Sequence, residues 1–594
     1  MFGSAPASAL GAVILLFLDT FAHGATVDEW RGRSIYQVVT DRFAINSHTP
    51  WMPCQTQLGP YCGGQWRGMM ENLDYIQGMG FDAIWISPIV AQLPQFTKDG
   101  QAYAGYWQQD LFNTNSRFGP PGDLKALIDA VHSRGMLFML DIVVNHMAYN
   151  SISGGAPAEN IDFTIFNPFN DATYYHNYCV MDFSGNNLTS LERCWLGSDH
   201  VPLADLNTES DIVQSMLGDW VEQIVGNWSV DGLRIDAGVN VQPDFFPNFV
   251  KKAGVFATAE VYHSNASVVS KWEEAVGSTL NYPLYWPMTS GFQSNGKLGD
   301  LADMIMTEQQ TFKDVTVLGT FSENQDVPRF GNHTGDLAQA TNVAAFVLMS
   351  DGIPIIYNGQ EQHYRGGTNP YTNREPLWET GLNPFSPIYQ VISTLNALRR
   401  HAMQKDTKHA TSLSTVVHKD DQTLVMAKGS NGTQIISVFT NTGVNANSST
   451  LDLSLSDLGY ANGATLTEVL TCKNYTLDNQ ASLSLPMSGG APAMLYPAAS
   501  LSNSSLCDQT GKRFVGDVIQ TITATTYTAT ISSTPTVVQS TVSYPIISSE
   551  ITATTTAISR ASSGRQLDST LSLWSTALGM TGLSGLLGCL LVLL

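Results

Sequence analysis

Three short segments of this chain each carry an acid at or just beyond the end of an apolar run. They are Gly232-Leu233-Arg234-Ile235-Asp236, Ala257-Thr258-Ala259-Glu260-Val261 and Gly319-Thr320-Phe321-Ser322-Glu323-Asn324-Gln325-Asp326. Carboxyls at the C-terminal ends of parallel strands are where a (β/α) barrel builds its active site. Cleaving a glycosidic bond with retention takes two of them, one as nucleophile and one as proton donor. Arg234 and Asp236 lie two apart on one strand, hence on one face. The guanidinium is therefore expected to hold Asp236 ionised for attack. Glu260 follows an apolar run, a setting that raises a carboxyl's pKa and suits a general acid. Asp326 suits stabilising an oxocarbenium-like charge or gripping sugar hydroxyls. Singly, each also reads as a solvated strand-end acid; the order and register of the three make the chemical reading the stronger one.

The elements that must position these acids alternate along the chain. Ser34–Val39, Phe81–Ile86, Met136–Val144, Gly232–Asp236, Phe256–Glu260, Val315–Phe321 and Ile353–Tyr357 are short apolar runs of the kind that form buried parallel strands. Helical patterns such as Pro121–His132 and Asp211–Asn227 lie between them. The alternation predicts an α/β fold, a (β/α)8 TIM barrel, over residues 25–146 and 206–405. Residues 147–205, rich in Asn, Gly, Ser and Asp, are too long for a structureless loop and predict a small inserted domain after the third strand. Short alternating strands with Gly/Asn turns predict a C-terminal antiparallel β-sandwich over 406–507.

The chain ends carry processing signals. An apolar stretch at Ala9–Leu18 followed by Ala22-His23-Gly24 predicts a secretion signal over 1–24, without the usual basic start. Residues 508–563 are Ser/Thr-rich, the composition of an O-glycosylated stalk. Residues 564–594 carry the pattern of a glycosylphosphatidylinositol signal, with Ser563 as attachment residue and a lipid-anchored, cell-surface protein as the consequence; a C-terminal membrane helix is the alternative. Sequons at Asn187, Asn227, Asn265, Asn332, Asn431, Asn447, Asn474 and Asn503 fit an extracellular glycoprotein. Six of the seven Cys suit disulfides in an oxidising compartment: Cys54 with Cys62, Cys179 with Cys194, and Cys472 with Cys507. Cys589 lies in the apolar tail. A net charge of −22 argues against nucleic acid or anionic lipid held by charge and is compatible with a neutral polysaccharide.

Asp141-Ile142-Val143-Val144-Asn145-His146, the three acid-bearing segments, Gly105–Asp110, Cys194–Gly197 and Asp351–His363 together resemble glycoside hydrolase family 13, over roughly residues 26–507. The likeness is to secreted fungal α-amylases, and especially to their anchored α-amylase / 4-α-glucanotransferase group. The resemblance implies a monomer acting on α-glucan polysaccharide or maltooligosaccharide. It implies Asp236 as nucleophile, Glu260 as acid/base and Asp326 as transition-state stabiliser. Tyr106, Trp107, His146 and Arg234 would line the subsite of the attacked sugar, with Gln325 and Asn240 also at the substrate. Arg374 would be a substrate contact further out, although Asn369 stands where an acid is usual. Asp141 reads as a structural acid beside Arg234. A calcium site of Asn145, Glu192, Asp205 and the Asn240 carbonyl is implied as well, an oxygen set that suits a hard cation.

The chain departs from that family at the substrate. Val239-Asn240 replaces a Lys-His pair, Gln325 and Ala104 replace histidines, and Tyr262-His263 is unusual after the acid/base. The carboxyls keep the chemistry available, while the apolar acceptor side is expected to favour a sugar hydroxyl over water as the second nucleophile. That predicts 4-α-glucanotransferase activity and a role in cell-wall α-glucan. An ordinary endo-acting α-amylase and an inactive glucan-binding wall protein are the alternatives.

Overall fold

The computed structural model describes residues 24–50, 53–151, 161–185, 187–368 and 371–507. The expectations for the leader before residue 24, Asn369, the stalk, and the anchor signal with Ser563 lie outside the described residues.

Seven strands form one parallel sheet: β1 Ile35–Val38, β2 Ala83–Ile86, β3 Leu137–Val143, β4 Gly232–Asp236, β5 Phe256–Ala259, β6 Gly319–Thr320 and β7 Ile353–Tyr357, in the order β5-β4-β3-β2-β1-β7-β6. The gap between the two edges is bridged by residues 278–280. Thr279 pairs with Ala259 and Leu280 with Gly319, through Leu280 N–H to the Ala259 carbonyl at 2.9 Å and Gly319 N–H to the Thr279 carbonyl at 2.9 Å. The sheet thus closes as a barrel of eight staves. The sequence pattern shows only seven of them and predicts one across Val315–Phe321, whereas Val315–Val317 is a 3-10 turn. A stave of three residues that opens Ser-Thr has no room to display a period, and the adjacent apolar run masked it.

Side chains alternate across the barrel wall as a period of two demands. Ile35, Ala83, Trp85, Met139, Ile353 and Ile355 pack together inside the barrel. Tyr36, Ile84, Phe138, Leu140, Leu233 and Ile235 belong to the layer between strands and helices. The helices meet that layer with spaced apolar residues: Pro121–Ser133 buries Leu124, Leu127, Ile128 and Val131, a single helical face. In the β3/β4 register Asp141 lies opposite Arg234 and Val143 opposite Asp236. The alternation therefore sends Asp141, Arg234 and Asp236 inward together.

The chain leaves the barrel after β3 into the insertion. Its antiparallel sheet pairs His146–Ala148 with Pro202–Asp205, and that strand with Leu196–Gly197; a Cys179–Cys194 disulfide closes its loop. The C-terminal domain is a six-stranded antiparallel sheet facing the Ser449–Ser454/Ser482–Met487 pair. Cys54–Cys62 and Cys472–Cys507 are also bonded. Asp351 ties the barrel to the C-terminal domain: it accepts from Lys428 Nζ at 2.5 Å, from Ser414 N–H at 3.0 Å and from Gln309 Nε2 at 3.1 Å. Among the described residues no helix is long and apolar enough to cross a membrane.

Candidate active site

Arg234 is the hub. Its side chain is fully buried and ion-pairs with Asp141 at 2.9 Å, Asp236 at 2.8 Å and Glu260 at 2.7 Å. Asp141 spends its second oxygen on Trp85 Nε1 and the Tyr106 hydroxyl, both at 3.0 Å. It is walled in, which leaves it a structural acid. Asp236 and Glu260 keep a small exposure at the strand ends, 13% and 10% of their side chains. They are the two carboxyls that a substrate can reach past Arg234.

The turn after β4 aims a donor at Glu260. Ala237 takes a left-handed conformation (φ 51°), unfavourable for a residue with a Cβ. In that conformation its N–H meets Glu260 Oε2 at 3.2 Å. Gly238 follows because a Cβ there would lie 2.9 Å from the Glu260 carbonyl oxygen. On the other side the Tyr282 hydroxyl donates to Glu260 Oε1 at 3.0 Å, and Asn324 Nδ2 donates to that hydroxyl at 3.0 Å.

Asp326 is held by Arg374 Nη2 at 3.1 Å. The same guanidinium donates to the Gln325 carbonyl at 2.9 Å and the Tyr103 hydroxyl at 3.1 Å, and stacks on Tyr371 with its centre 4.2 Å from the ring. Arg374 is therefore an immediate partner of Asp326, nearer the chemistry than the outer contact expected of it. Asn373 fixes the same loop, its amide donating to the carbonyls of Asn324, Gln325 and Val327.

Burial and Arg234 act on Asp236 in opposite directions. Burial pushes Asp236 well above the ordinary carboxyl range; Arg234 opposes this, and Glu260, Asp141 and Asp326 add to it. Arg234 is in place, and it serves three acids at once. Asp326 rises to about 6, from burial and then Glu260, with Arg374 pulling it down. Asp141 also rises to about 6 by burial, against Arg234.

Three residues expected at the substrate are otherwise engaged. Gln325 is fully buried; its amide accepts from Gln37 Nε2 at 2.5 Å and donates to the Tyr106 hydroxyl at 3.0 Å. Asn240 donates its amide to the Leu191 carbonyl of the insertion at 2.8 Å. His146 gives Nε2–H to the Tyr106 carbonyl at 3.0 Å, with its Nδ1 3.3 Å from Asn145 Nδ2, and burial lowers it to about 4, so it is a neutral spacer. In each case the competing partner comes from a distant part of the chain, which spacing does not reveal. Trp107 is half-buried, and Val239 and Ala104 are buried apolar residues. Tyr282, Asn324, Tyr103 and Gln37 were missed. The only sequence signal for Tyr282 is its place just past the unrecognised stave.

The residues suggested for a cation fall in two neighbouring pairs. Asn145 directly precedes the strand pairing that opens the insertion, and Asp205 lies in it opposite His146. Glu192 sits on the helix Leu188–Arg193, whose Leu191 carbonyl holds Asn240. Asp205 Oδ2 meets His176 Nδ1 at 2.7 Å, while its Oδ1 is buried without a hydrogen bond. Among the described residues no three His, Cys, Asp or Glu side chains converge to hold a metal.

A closed parallel barrel with paired carboxyls at its strand ends is the arrangement that glycoside-cleaving enzymes of this fold use. The family profile for the α-amylase catalytic domain matches residues 37–422, and that for α-amylase domain C matches 416–514. The chain belongs to the α-amylase family. It is 46% identical over 484 residues to Alpha-amylase 1 of Lipomyces kononenkoae (81% of this chain, 76% of that one). It is 41% identical over 480 residues to Alpha-amylase 2 of Schwanniomyces occidentalis (81% and 92%). An α-amylase structure from Malbranchea cinnamomea superposes with a TM-score of 0.77 at 42% identity, covering 82% of this chain and 100% of that one.

Proposed function

We propose that the protein is a retaining enzyme acting on α-1,4-glucans such as starch and maltooligosaccharides. The observation that carries this is the single guanidinium of Arg234, whose two terminal nitrogens face Asp236 at 2.8 Å and Glu260 at 2.7 Å. That arrangement suits the close carboxyl spacing of retaining enzymes, about 5–5.5 Å, rather than the wider gap of inverting ones. Asp236 attacks the anomeric carbon while Glu260 protonates the leaving oxygen, giving a glycosyl ester and a free sugar end. Glu260 then takes a proton from the incoming hydroxyl, whose oxygen displaces Asp236. Asp326, oriented by Arg374, faces the positive charge that develops in both steps.

The incoming hydroxyl belongs to a sugar as well as to water. Val239 and Ala104 leave the acceptor side without the cation and imidazoles that would order water, and Gln325 is tied into the barrel. These features support 4-α-glucanotransferase activity. The names of the relatives favour plain starch hydrolysis. A timed product profile from maltopentaose separates the two. Products longer than the substrate support transfer; only shorter products, at every substrate concentration, leave the hydrolase reading.

The cation assignment remains Asn145, Glu192, Asp205 and the Asn240 carbonyl, and the partnerless buried Asp205 oxygen fits it. A calcium ion there would neutralise buried acids and pin the insertion to the barrel. The sequence patterns of both termini support secretion and a lipid anchor at the cell surface, and with them a role in cell-wall α-glucan metabolism. Release of the protein from cells by a phosphatidylinositol-specific phospholipase tests the anchor.

A further inference from the structure

We infer that Tyr282 is a positioning residue that orients Oε1, the oxygen of Glu260 that carries the catalytic proton, and tunes the carboxylate left behind. The inference rests on Glu260 being the acid/base. Oε2 faces Arg234 Nη2 at 2.7 Å and accepts from Ala237 N–H at 3.2 Å. Neither group can accept a hydrogen bond, so a proton on Oε2 would point at a donor. Oε1 accepts from the Tyr282 hydroxyl at 3.0 Å.

A hydroxyl can donate or accept, but this one is committed. Asn324 Nδ2 donates to it at 3.0 Å. The orientation of that amide is fixed, because Asn324 Oδ1 accepts from the N–H of Asp326 at 2.8 Å and of Val327 at 3.1 Å. With Asn324 supplying a hydrogen, the hydrogen of Tyr282 goes to Glu260. The protonated acid then keeps its hydrogen on Oε1, on the lone pair turned away from Tyr282. Once that hydrogen has left, the Tyr282 hydrogen bond stabilises the carboxylate that must act as base.

The phenol is well placed to be rigid. Tyr282 is fully buried and follows the short eighth stave, with its ring centre 5.0 Å from Phe321 and 4.6 Å from Tyr262. No solvent reaches it to replace the hydroxyl. Burial, reinforced by Glu260, also keeps it protonated far above neutral pH. Tyr282 therefore orients and tunes Glu260 without itself exchanging a proton.

Tyr282→Phe keeps the ring and removes that donor on Oε1. The expected result is a basic limb of kcat/KM on a nitrophenyl maltooligosaccharide that moves up by about one pH unit, the size of one hydrogen bond to an ionised carboxyl. Hydrolysis of an α-maltosyl fluoride, whose leaving group needs no proton, keeps its glycosylation rate within about threefold. Asn324→Asp is a second variant that keeps the acceptor for the Asp326 loop but draws the Tyr282 hydrogen away, and it should move the limb the same way. An unshifted limb in both variants, including a uniform loss at every pH, would overturn the inference. Azide rescue of Glu260→Ala separates this from the underlying reading. If azide restores turnover and gives an α-glycosyl azide, Glu260 is the acid/base whatever Tyr282 does; if it does not, the reading of Glu260 itself fails.

Discussion

Replacing Arg234 with Lys keeps the charge and removes the fork. In the parent, one fully buried guanidinium reaches three carboxyls, Asp141 at 2.9 Å, Asp236 at 2.8 Å and Glu260 at 2.7 Å. A single ammonium at the end of a flexible stem cannot span all three directions. At least one buried acid is left without its cation. Stranding a buried charge costs about 3–5 kcal/mol. The acid can lessen that by taking up a proton, but a protonated Asp236 is no nucleophile. If about 3 kcal/mol of the loss is felt in the transition state, kcat/KM falls by roughly 10²-fold, at about 1.4 kcal/mol per tenfold. The assay is kcat/KM on maltopentaose beside a urea-unfolding curve for each protein. A variant within 0.5 kcal/mol and threefold of the parent (thresholds set at about the error of such measurements) would refute the account of Arg234 as organiser of the site.

Other perturbations have equally direct readouts. Glu260→Gln should lower the turnover of maltooligosaccharides by about 10²–10⁴-fold, as expected for loss of a general acid, with little change in melting temperature. Glu308 is buried, bonded to Asn281 at 3.0 Å and raised to about 8 by burial. The folded state therefore holds a proton that the unfolded state releases near 4.5, so the parent loses stability as pH rises between those values. The stability of Glu308→Gln relative to the parent should accordingly climb from about pH 4.5 and level off above about pH 8, read from melting curves at each pH. Lys428→Met strands Asp351 at the junction of barrel and C-terminal domain and should cost about 3–5 kcal/mol in chemical denaturation. If Asp205 holds a cation, a chelator should lower the melting temperature of the parent and much less that of Asp205→Asn.

Much of this site is legible from the chain because strands convert spacing into direction. Arg234 and Asp236 are two apart, and the apolar Leu233 and Ile235 between them tell which face is buried against the helices. Asp141 is read the same way, through its place in an apolar strand. The insertion shows itself by length and composition, and the C-terminal sheet by its turns. What escaped is decided by long-range partners. Residues 278–280 are a strand only because Ala259 and Gly319 stand on either side. Gln325 looks like a substrate ligand until Gln37, far back in β1, takes its amide. Arg374 lies beyond a loop that gives no hint of its ion pair with Asp326. The pKa of Asp236 depends on how many acids share one cation and how little water enters, and neither number is written in a motif.

The central claim is that Asp236 forms a covalent bond to sugar and Glu260 resolves it. Incubating Glu260→Gln with an α-maltotriosyl fluoride isolates that step, because fluoride leaves without a proton while the base for the second step is missing. Digestion and mass spectrometry should then find a maltotriosyl adduct on the peptide that carries Asp236. An adduct on another acid, or none together with release of a β-configured product, would contradict it.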